Sequence, residues 1–142
     1  MSSAQQKILL DTNVILDAMT GQGAGETAQK IIEAAGEERF LGFIAANSIT
    51  DIYYIVTRTF SVERAQEVLP YLFSLFSIIG IGETDCYKAL DYAWDDYEDA
   101  LLCVCAEREK VDILVSNDKG LLQQDAPVRL LSPENFLTQL SI

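Results

Sequence analysis

Aspartates are the residues whose type and placement in this chain could carry chemistry. Asp11 follows the apolar run Ile8-Leu9-Leu10, Asp118 follows the apolar run Ile113-Leu114-Val115, Asp51 stands three residues after Ser48, and Asp96 and Asp99 stand three apart. The 142 residues include no histidine. That absence removes Ser-His-Asp and Cys-His mechanisms and the His-rich zinc sites. Carboxylates, hydroxyls, thiols and lysines remain, and with 22 acidic residues against 10 basic ones the carboxylates dominate. Gathered carboxylates repel: two charges about 4 Å apart cost about 4 kcal/mol at an effective dielectric of about 20. Such a cluster persists where protons or cations neutralise it. An all-oxygen donor set suits Mg²⁺ or Mn²⁺. A metal held this way can activate water and stabilise a phosphoryl transition state, so hydrolysis of a phosphodiester is the chemistry suggested.

Composition bounds that reading. The length suits one domain, here residues 1–142, and a chain of this size folds without disulfides or a structural metal. Three cysteines, Cys86, Cys103 and Cys105, are odd in number and wrongly spaced for a disulfide framework. Cys103 and Cys105 lie two apart on one expected helix and so face different directions, which makes them poor metal ligands. No apolar run reaches the roughly 20 residues that span a bilayer, and Met1 to Gln6 lacks the features of a signal peptide. A cytoplasmic protein without membrane partners is the expectation. The net charge of −12 opposes unspecific binding to nucleic acid, which relies on Lys and Arg.

The elements that must position the acids follow from the pattern of the chain. Strands are expected at Lys7–Asp11, Phe40–Ile44, Ser77–Ile81, Val111–Ser116 and Val128–Leu130. Helices are expected over Asn13–Met19, around Ala28 to Ala35, from Ser48, from Ser61 with a bend at Pro70, from Thr84 as cap to about Trp94, from Asp96 to about Lys110, and after Ser132-Pro133. This alternation predicts a three-layer α/β/α sandwich around a central, mostly parallel sheet of four to five strands. In such sheets ligands bind beyond the carboxyl ends of the strands. Asp11 and Asp118 fall at that edge, and Asp51, in the first turn of the helix leaving the second strand, should sit near it. Two helices separate the third strand from the fourth, so the pattern does not place Asp96 and Asp99 at either end.

The segment Ile8-Leu9-Leu10-Asp11-Thr12-Asn13-Val14-Ile15-Leu16-Asp17 resembles the opening of the PIN domain family, and of its compact bacterial VapC-like members. Asp96-Tyr97-Glu98-Asp99-Ala100-Leu101 and Ile113-Leu114-Val115-Ser116-Asn117-Asp118 are similar to two further motifs of that family. The resemblance covers nearly the whole chain, and the order, strand context and spacing of the motifs together make it specific. The resemblance implies a PIN-like fold and a metal-dependent endoribonuclease, and suggests the toxin of a toxin–antitoxin pair. It implies Asp11, Asp99 and Asp118 as ligands of Mg²⁺ or Mn²⁺, with Asp51 as a fourth catalytic acid where the family more often has glutamate. Thr12, Asn13 and Ser116 become supporting groups, and Asp96 an accessory acid or a helix cap. RNA as substrate, a basic antitoxin segment as partner, and a homodimer through the helices around Tyr53 and Phe73 complete the expectation.

Each acid also has a purely structural reading. Asp11, Asp96 and Asp118 could simply cap helices or turns, and Ser48 with Asp51 matches a capping pattern. Asp17, Asp91, Asp95 and Glu98 read as surface charges. Tyr53, Tyr54, Tyr87 and Trp94 read as core or interface residues rather than base-stacking platforms. Basic residues near the motifs are few, chiefly Lys119 and more remotely Arg58. Two other functions compete: a PIN-like scaffold that binds protein or RNA without cutting, and a phosphoacceptor domain. The latter is disfavoured, since Ile79-Gly80-Ile81-Gly82 offers no acceptor aspartate and Asn13 stands where a dehalogenase-like phosphatase needs its second acid.

Overall fold

Ile8, Leu9 and Leu10 have no exposed surface, so the first strand is covered on both faces, as its unbroken apolar run requires. The computed structural model describes residues 5–141. In chain order it contains β1 (Lys7–Leu10), α1 (Thr12–Thr20), α2 (Gly25–Gly36), β2 (Leu41–Ala45), α3 (Ala46–Thr59), α4 (Val62–Leu75), β3 (Phe76–Ile79), α5 (Glu83–Asp91), α6 (Tyr97–Arg108), β4 (Ile113–Val115), α7 (Lys119–Leu122), β5 (Arg129–Leu131) and α8 (Pro133–Leu140). The five strands lie in the order β3-β2-β1-β4-β5, and every pairing is parallel. The expected sandwich is therefore present, with five strands rather than four and no antiparallel pair among the described residues.

Alternation along the strands divides the core. Ile8 and Leu10 point to one face, where they meet Val14, Ile15, Ile31, Ile52, Leu72 and Phe136 from α1, α2, α3, α4 and α8. Leu9 points to the other, with Cys103 and Cys105 of α6, Leu114 and Leu121. Gly42 is needed at close approach, because a Cβ there would meet the ring of Phe76 at 2.5 Å across the β2–β3 pair.

The chain moves from β1 outward to β2 and β3, then returns to place β4 on the opposite side of β1. The order reverses between β1 and β4, and the carboxyl ends of these two strands open the crevice in which α/β proteins hold their ligands.

Several boundaries differ from expectation for identifiable reasons. β2 passes straight into α3, which starts at Ala46 with Ala45 as its cap, so Ser48 is a buried residue inside the helix rather than its cap. Gly82, not Thr84, caps α5, because the Asp85 carboxylate accepts the Gly82 N–H at 2.8 Å. That helix ends at Asp91, leaving Trp94 in a loop, edge-on to Tyr92. Pro70, where a bend is expected, lies inside α4, which runs as one helix from Val62 to Leu75 and leads directly into β3. The short helix α7 is present although the sequence pattern did not signal it. Among the described residues no helix is long and apolar enough to cross a membrane.

Candidate metal centre

Asp11 stands where β1 gives way to α1. Its N–H donates to the Val115 carbonyl at 2.9 Å, which joins the ends of β1 and β4. In extended backbone it caps α1, with Oδ1 accepting the Thr12 N–H at 2.8 Å. Oδ2 accepts from Ser116 Oγ at 2.8 Å and from Asn13 Nδ2 at 3.3 Å. Burial pushes the Asp11 carboxyl up. The bonds from Ser116 and Thr12 pull it down, the charge of Asp118 pushes it up again, and the net direction is upward.

Asp118 begins the turn after β4. Its N–H donates to Ser116 Oγ at 3.0 Å, and its Oδ1 accepts from the N–H groups of Gly120 at 2.9 Å and Leu121 at 3.4 Å. It therefore caps α7. Ser116 has no exposed surface, and its one hydroxyl holds both Asp11 and the backbone of Asp118.

The opening of α6, which the sequence pattern left unplaced, lies at this same edge. Asp96 caps the helix, its Oδ1 accepting the Asp99 N–H at 3.0 Å. One carboxylate oxygen from each of Asp96, Asp99 and Asp118 lies within 4.8 Å of the others. Asp99 is pushed up to about 7, first by burial and then by the charges of Asp96, Asp118 and Asp11. No cation answers these acids: among the described residues the only side-chain ion pairs belong to Arg108. An all-oxygen set of this kind fits a hard divalent cation, which would relieve the repulsion that raises Asp99.

Two expected acids stand differently from the trio. Asp11 lies behind it, both oxygens already held by protein donors, close enough for its charge to raise Asp99. Asp51 is exposed in the second turn of α3 and is not one of the three. Its charge acts on Glu98, whose carboxyl is raised first by desolvation and then by the charges of Asp51, Asp11 and Asp96. Glu98 is exposed, as its sequence context suggests, but it lies within reach of the charges of the centre.

Supporting contacts tie the surrounding elements together. Thr12 Oγ1 donates to Ser48 Oγ at 2.6 Å, joining the starts of α1 and α3. Asn13 donates to Asp11 through Nδ2 and accepts the Asn117 N–H through Oδ1 at 3.3 Å. Asn117 Nδ2 donates in turn to Asp17 at 2.7 Å. The sequence pattern does not mark Asn117, and by spacing alone Asp17 reads as a surface charge. Their only local signal is a polar residue adjoining each of the two Asp-bearing motifs. Cys103, one turn after Asp99, is fully buried, and its thiol is pushed up to about 12 by burial and then by the charges of Asp99 and Asp11. A neutral thiol in the apolar core offers no thiolate to a metal.

Comparison with known proteins bears on this geometry. A family model described as PIN domain matches residues 7–120. The chain is 25% identical over 137 residues to Ribonuclease VapC1 of Aquifex aeolicus (strain VF5), covering 92% of this chain and 93% of that protein. Among solved structures, VapBC2 from Rickettsia felis, bound to a DNA fragment from its promoter, includes a chain that matches at TM-score 0.69 and 18% identity. The match covers 89% of this chain and 98% of that one. Mycobacterium tuberculosis VapC20, described as a sarcin-ricin loop cleaving toxin, matches at TM-score 0.68 and 9% identity over 84% of this chain and 95% of that one.

Proposed function

Because the chain belongs to the PIN domain family, we propose that its acidic centre is the active site of a metal-dependent endoribonuclease that hydrolyses RNA phosphodiester bonds. The observation that carries this reading is the meeting of Asp96, Asp99 and Asp118 within 4.8 Å at the point where the strand order reverses. The relative named a ribonuclease, matched over most of both chains, supports it.

Asp99 and Asp118, with Asp96 beside them, would hold Mg²⁺ or Mn²⁺, and Asp11 would join them through whichever oxygen its protein donors release. The ion supplies an activated water and charge stabilisation for the phosphoryl group. Burial and the neighbouring charges push Asp99 up to about 7, and a cation held there would favour its carboxylate form. Ser116 orients Asp11 and fixes the Asp118 backbone, so both acids keep their aim whether or not the site is loaded. Glu98 and Asp51 extend the negative field toward α3 and are placed to order water or a further ion.

The solved VapBC assemblies among the structural relatives support a protein partner of antitoxin type, and a net charge of −12 favours a basic segment in it. A second copy of the chain is a further partner, covering the exposed Phe60, Tyr71 and Phe73 on and near α4. Tyr53 itself packs against the core rather than facing outward.

The test is cleavage of a panel of structured and single-stranded RNAs with Mg²⁺ or Mn²⁺, comparing the wild type with Asp11→Asn and Asp99→Asn. Cuts that require metal and vanish in both variants are expected. Equal cutting by all three proteins would assign the activity to a contaminant. No cutting by the wild type would favour a non-catalytic PIN scaffold, the reading suggested by the exposed Asp51 outside the acidic trio and by the strong negative charge.

A further inference from the structure

Asp17 lies outside the acidic trio, yet two distant parts of the chain are built against it. It stands half-buried near the end of α1, where its carbonyl accepts the Gly21 N–H at 2.9 Å. The turn that follows passes over its carboxylate. Gly23 there has φ +56°, and a Cβ on it would stand 3.0 Å from Asp17 Oδ1, so a side chain at this position would press on the acid. The other oxygen, Oδ2, accepts from Asn117 Nδ2 at 2.7 Å across 100 residues of sequence, a short bond of the kind made to an ionised acceptor. The Asn117 N–H donates to Asn13 Oδ1 at 3.3 Å. Asn13 and Asp17 are four residues apart and share one face of α1, so Asn117 is fixed to that helix by both its main chain and its side chain.

We propose that Asp17 is a positioning residue for the metal centre, acting through Asn117 to fix the direction of Asp118 relative to Asp11. The proposal rests on the metal-dependent reading of that centre. The ladder that aligns β1 with β4 ends at Leu10 and Val115, and Ser116 still donates its N–H to Leu131. Beyond Ser116, among the described residues, α1 holds the turn toward Asp118 through side chains. Ser116 Oγ joins Asp11 to the Asp118 N–H, which fixes one point. One point leaves the turn free to pivot. The two bonds from Asn117 to Asn13 and Asp17 remove that freedom, and Asn117 adjoins Asp118 directly. Asp17 is no ligand itself, since it is not one of the three converging acids and its carboxylate is taken up by Asn117 and the Gly23 turn. A carboxylate suits this task better than an amide, because a charge-assisted bond is roughly twice as strong as a neutral one.

The experiment is calorimetric titration of the full chain with Mn²⁺ in the absence of RNA, with urea denaturation in chelator and Mn²⁺-dependent RNA cleavage in parallel. Asp17→Ala is expected to weaken Mn²⁺ binding roughly 10-fold, the lower end of what supporting groups around a metal contribute. Asp17→Asn loses the same charge but keeps an acceptor for Asn117. With about half of the bond strength retained, its loss should be about 3-fold. Asn117→Ala is expected to match Asp17→Ala, and the double variant to bind no worse than either, since both break one contact. Gln29→Ala frees the Ala18 carbonyl at the same end of α1 and should bind Mn²⁺ as the wild type does. Equal losses in Asp17→Asn and Asp17→Ala would reduce Asp17 to one more negative charge near the centre and overturn the proposal. So would an equal loss in Gln29→Ala, which would assign the effect to a loosened helix. Should Asp17→Ala fail to fold, Asn117→Ala decides, and wild-type affinity in it overturns the proposal. No Mn²⁺ binding by the wild type overturns the metal centre and this role together. The two readings otherwise separate. A wild type that binds Mn²⁺ but cuts nothing, with binding weakened in Asp17→Ala, supports the positioning role and refutes the nuclease. Metal-dependent cleavage by the wild type, with Mn²⁺ affinity unchanged in Asp17→Ala, refutes the positioning role alone.

Discussion

Asp11, half-buried, and Asp85, buried, are both aspartates beside strand ends, yet the protein treats them oppositely. Asp85 is 4% exposed. Its Oδ2 accepts the Gly82 N–H at 2.8 Å, and its Oδ1 meets Arg108 Nε at 3.0 Å. Burial pushes this carboxyl up, but the Gly82 bond and the Arg108 guanidinium outweigh it, and the net direction is downward. Arg108 also donates to the Gly80 carbonyl, so the cluster clamps the loop from β3 to α5. Asp11 has hydrogen bonds but no cation, and its acidic neighbours add to the cost of its charge. One region is neutralised from within the chain. The other is left with excess negative charge, which is the electrostatic condition for recruiting a metal ion.

The contrast breaks most visibly in activity. Asp99→Asn and Asp11→Asn should each lower metal-dependent RNA cleavage by more than about 100-fold, since even supporting groups around a metal commonly account for roughly 10- to 100-fold. Asp85→Ala should leave the centre working in whatever fraction remains folded. Single-turnover rates for the three variants decide the point, and a comparable loss in Asp85→Ala would merge the two regions into one functional unit.

Stability should separate them with opposite signs. Removing Asp85 takes from Arg108 its buried partner, leaving only the exposed Glu109 pair, and takes from α5 its cap interaction. Because the arginine side chain is 40% exposed, the cost should be roughly 1–3 kcal/mol, below that of a fully buried pair. Asp99→Asn, measured in chelator at pH 7–8 (above about 7), should instead raise the denaturation midpoint, because it removes repelled charge. Urea titrations of both variants test this, and destabilisation by Asp99→Asn in chelator would contradict it.

The pH dependence sharpens the same comparison. Asp99 binds its proton more tightly in the folded state, so between about pH 4 and 7 the folded chain holds a proton that the unfolded chain has lost. Its effect on metal-free stability therefore worsens as pH rises through that window. Asp85 works the other way: its folded carboxyl is lowered, so its contribution is present above the ordinary aspartate range and is lost as pH falls below it. Metal should oppose the first trend, and Mn²⁺ affinity should fall as pH drops below about 7, because protons and metal compete for Asp99. Thermal melts with and without Mn²⁺ from pH 4 to 8 should show the largest metal-induced shift at the alkaline end.

Ser116→Ala should have an intermediate effect, with roughly 10- to 100-fold less activity and about 1 kcal/mol less stability, since one buried hydroxyl serves both Asp11 and Asp118. The smallest change is expected at Asp51→Glu. The added methylene extends an exposed carboxylate toward the centre and should strengthen Mn²⁺ binding about 2- to 3-fold. Calorimetric titration measures it, and weaker binding would place Asp51 outside the metal's field.

Local pattern was sufficient for much of this protein. Ile8 to Leu10 and Ile113 to Val115 announce buried parallel strands because both of their faces are covered. Asp11 and Asp118 follow those strands directly, so their place at the carboxyl edge is legible from chain order alone. The caps at Ser132, Ser61 and Asp96 are equally local, each depending on a side chain and an N–H three residues away. The fold class followed from the alternation of such elements, and membership of the PIN domain family from the three Asp-bearing motifs.

What tertiary structure alone decided is convergence. Two helices lie between β3 and β4, and only the packing of α5 against α6 brings Asp96 and Asp99 to Asp118 rather than to the opposite end of the sheet. Ser48 looked like a cap because spacing records neighbours along a helix. It is buried against Thr12 because β2 enters α3 without a loop. Asp17 looked like a solvated charge for the same reason, and acquired its partner Asn117 from a loop 100 residues away in the chain. Periodicity specifies which face of an element is apolar. It carries no record of which distant charges that face will meet, because burial and Coulomb energy depend on separation in space.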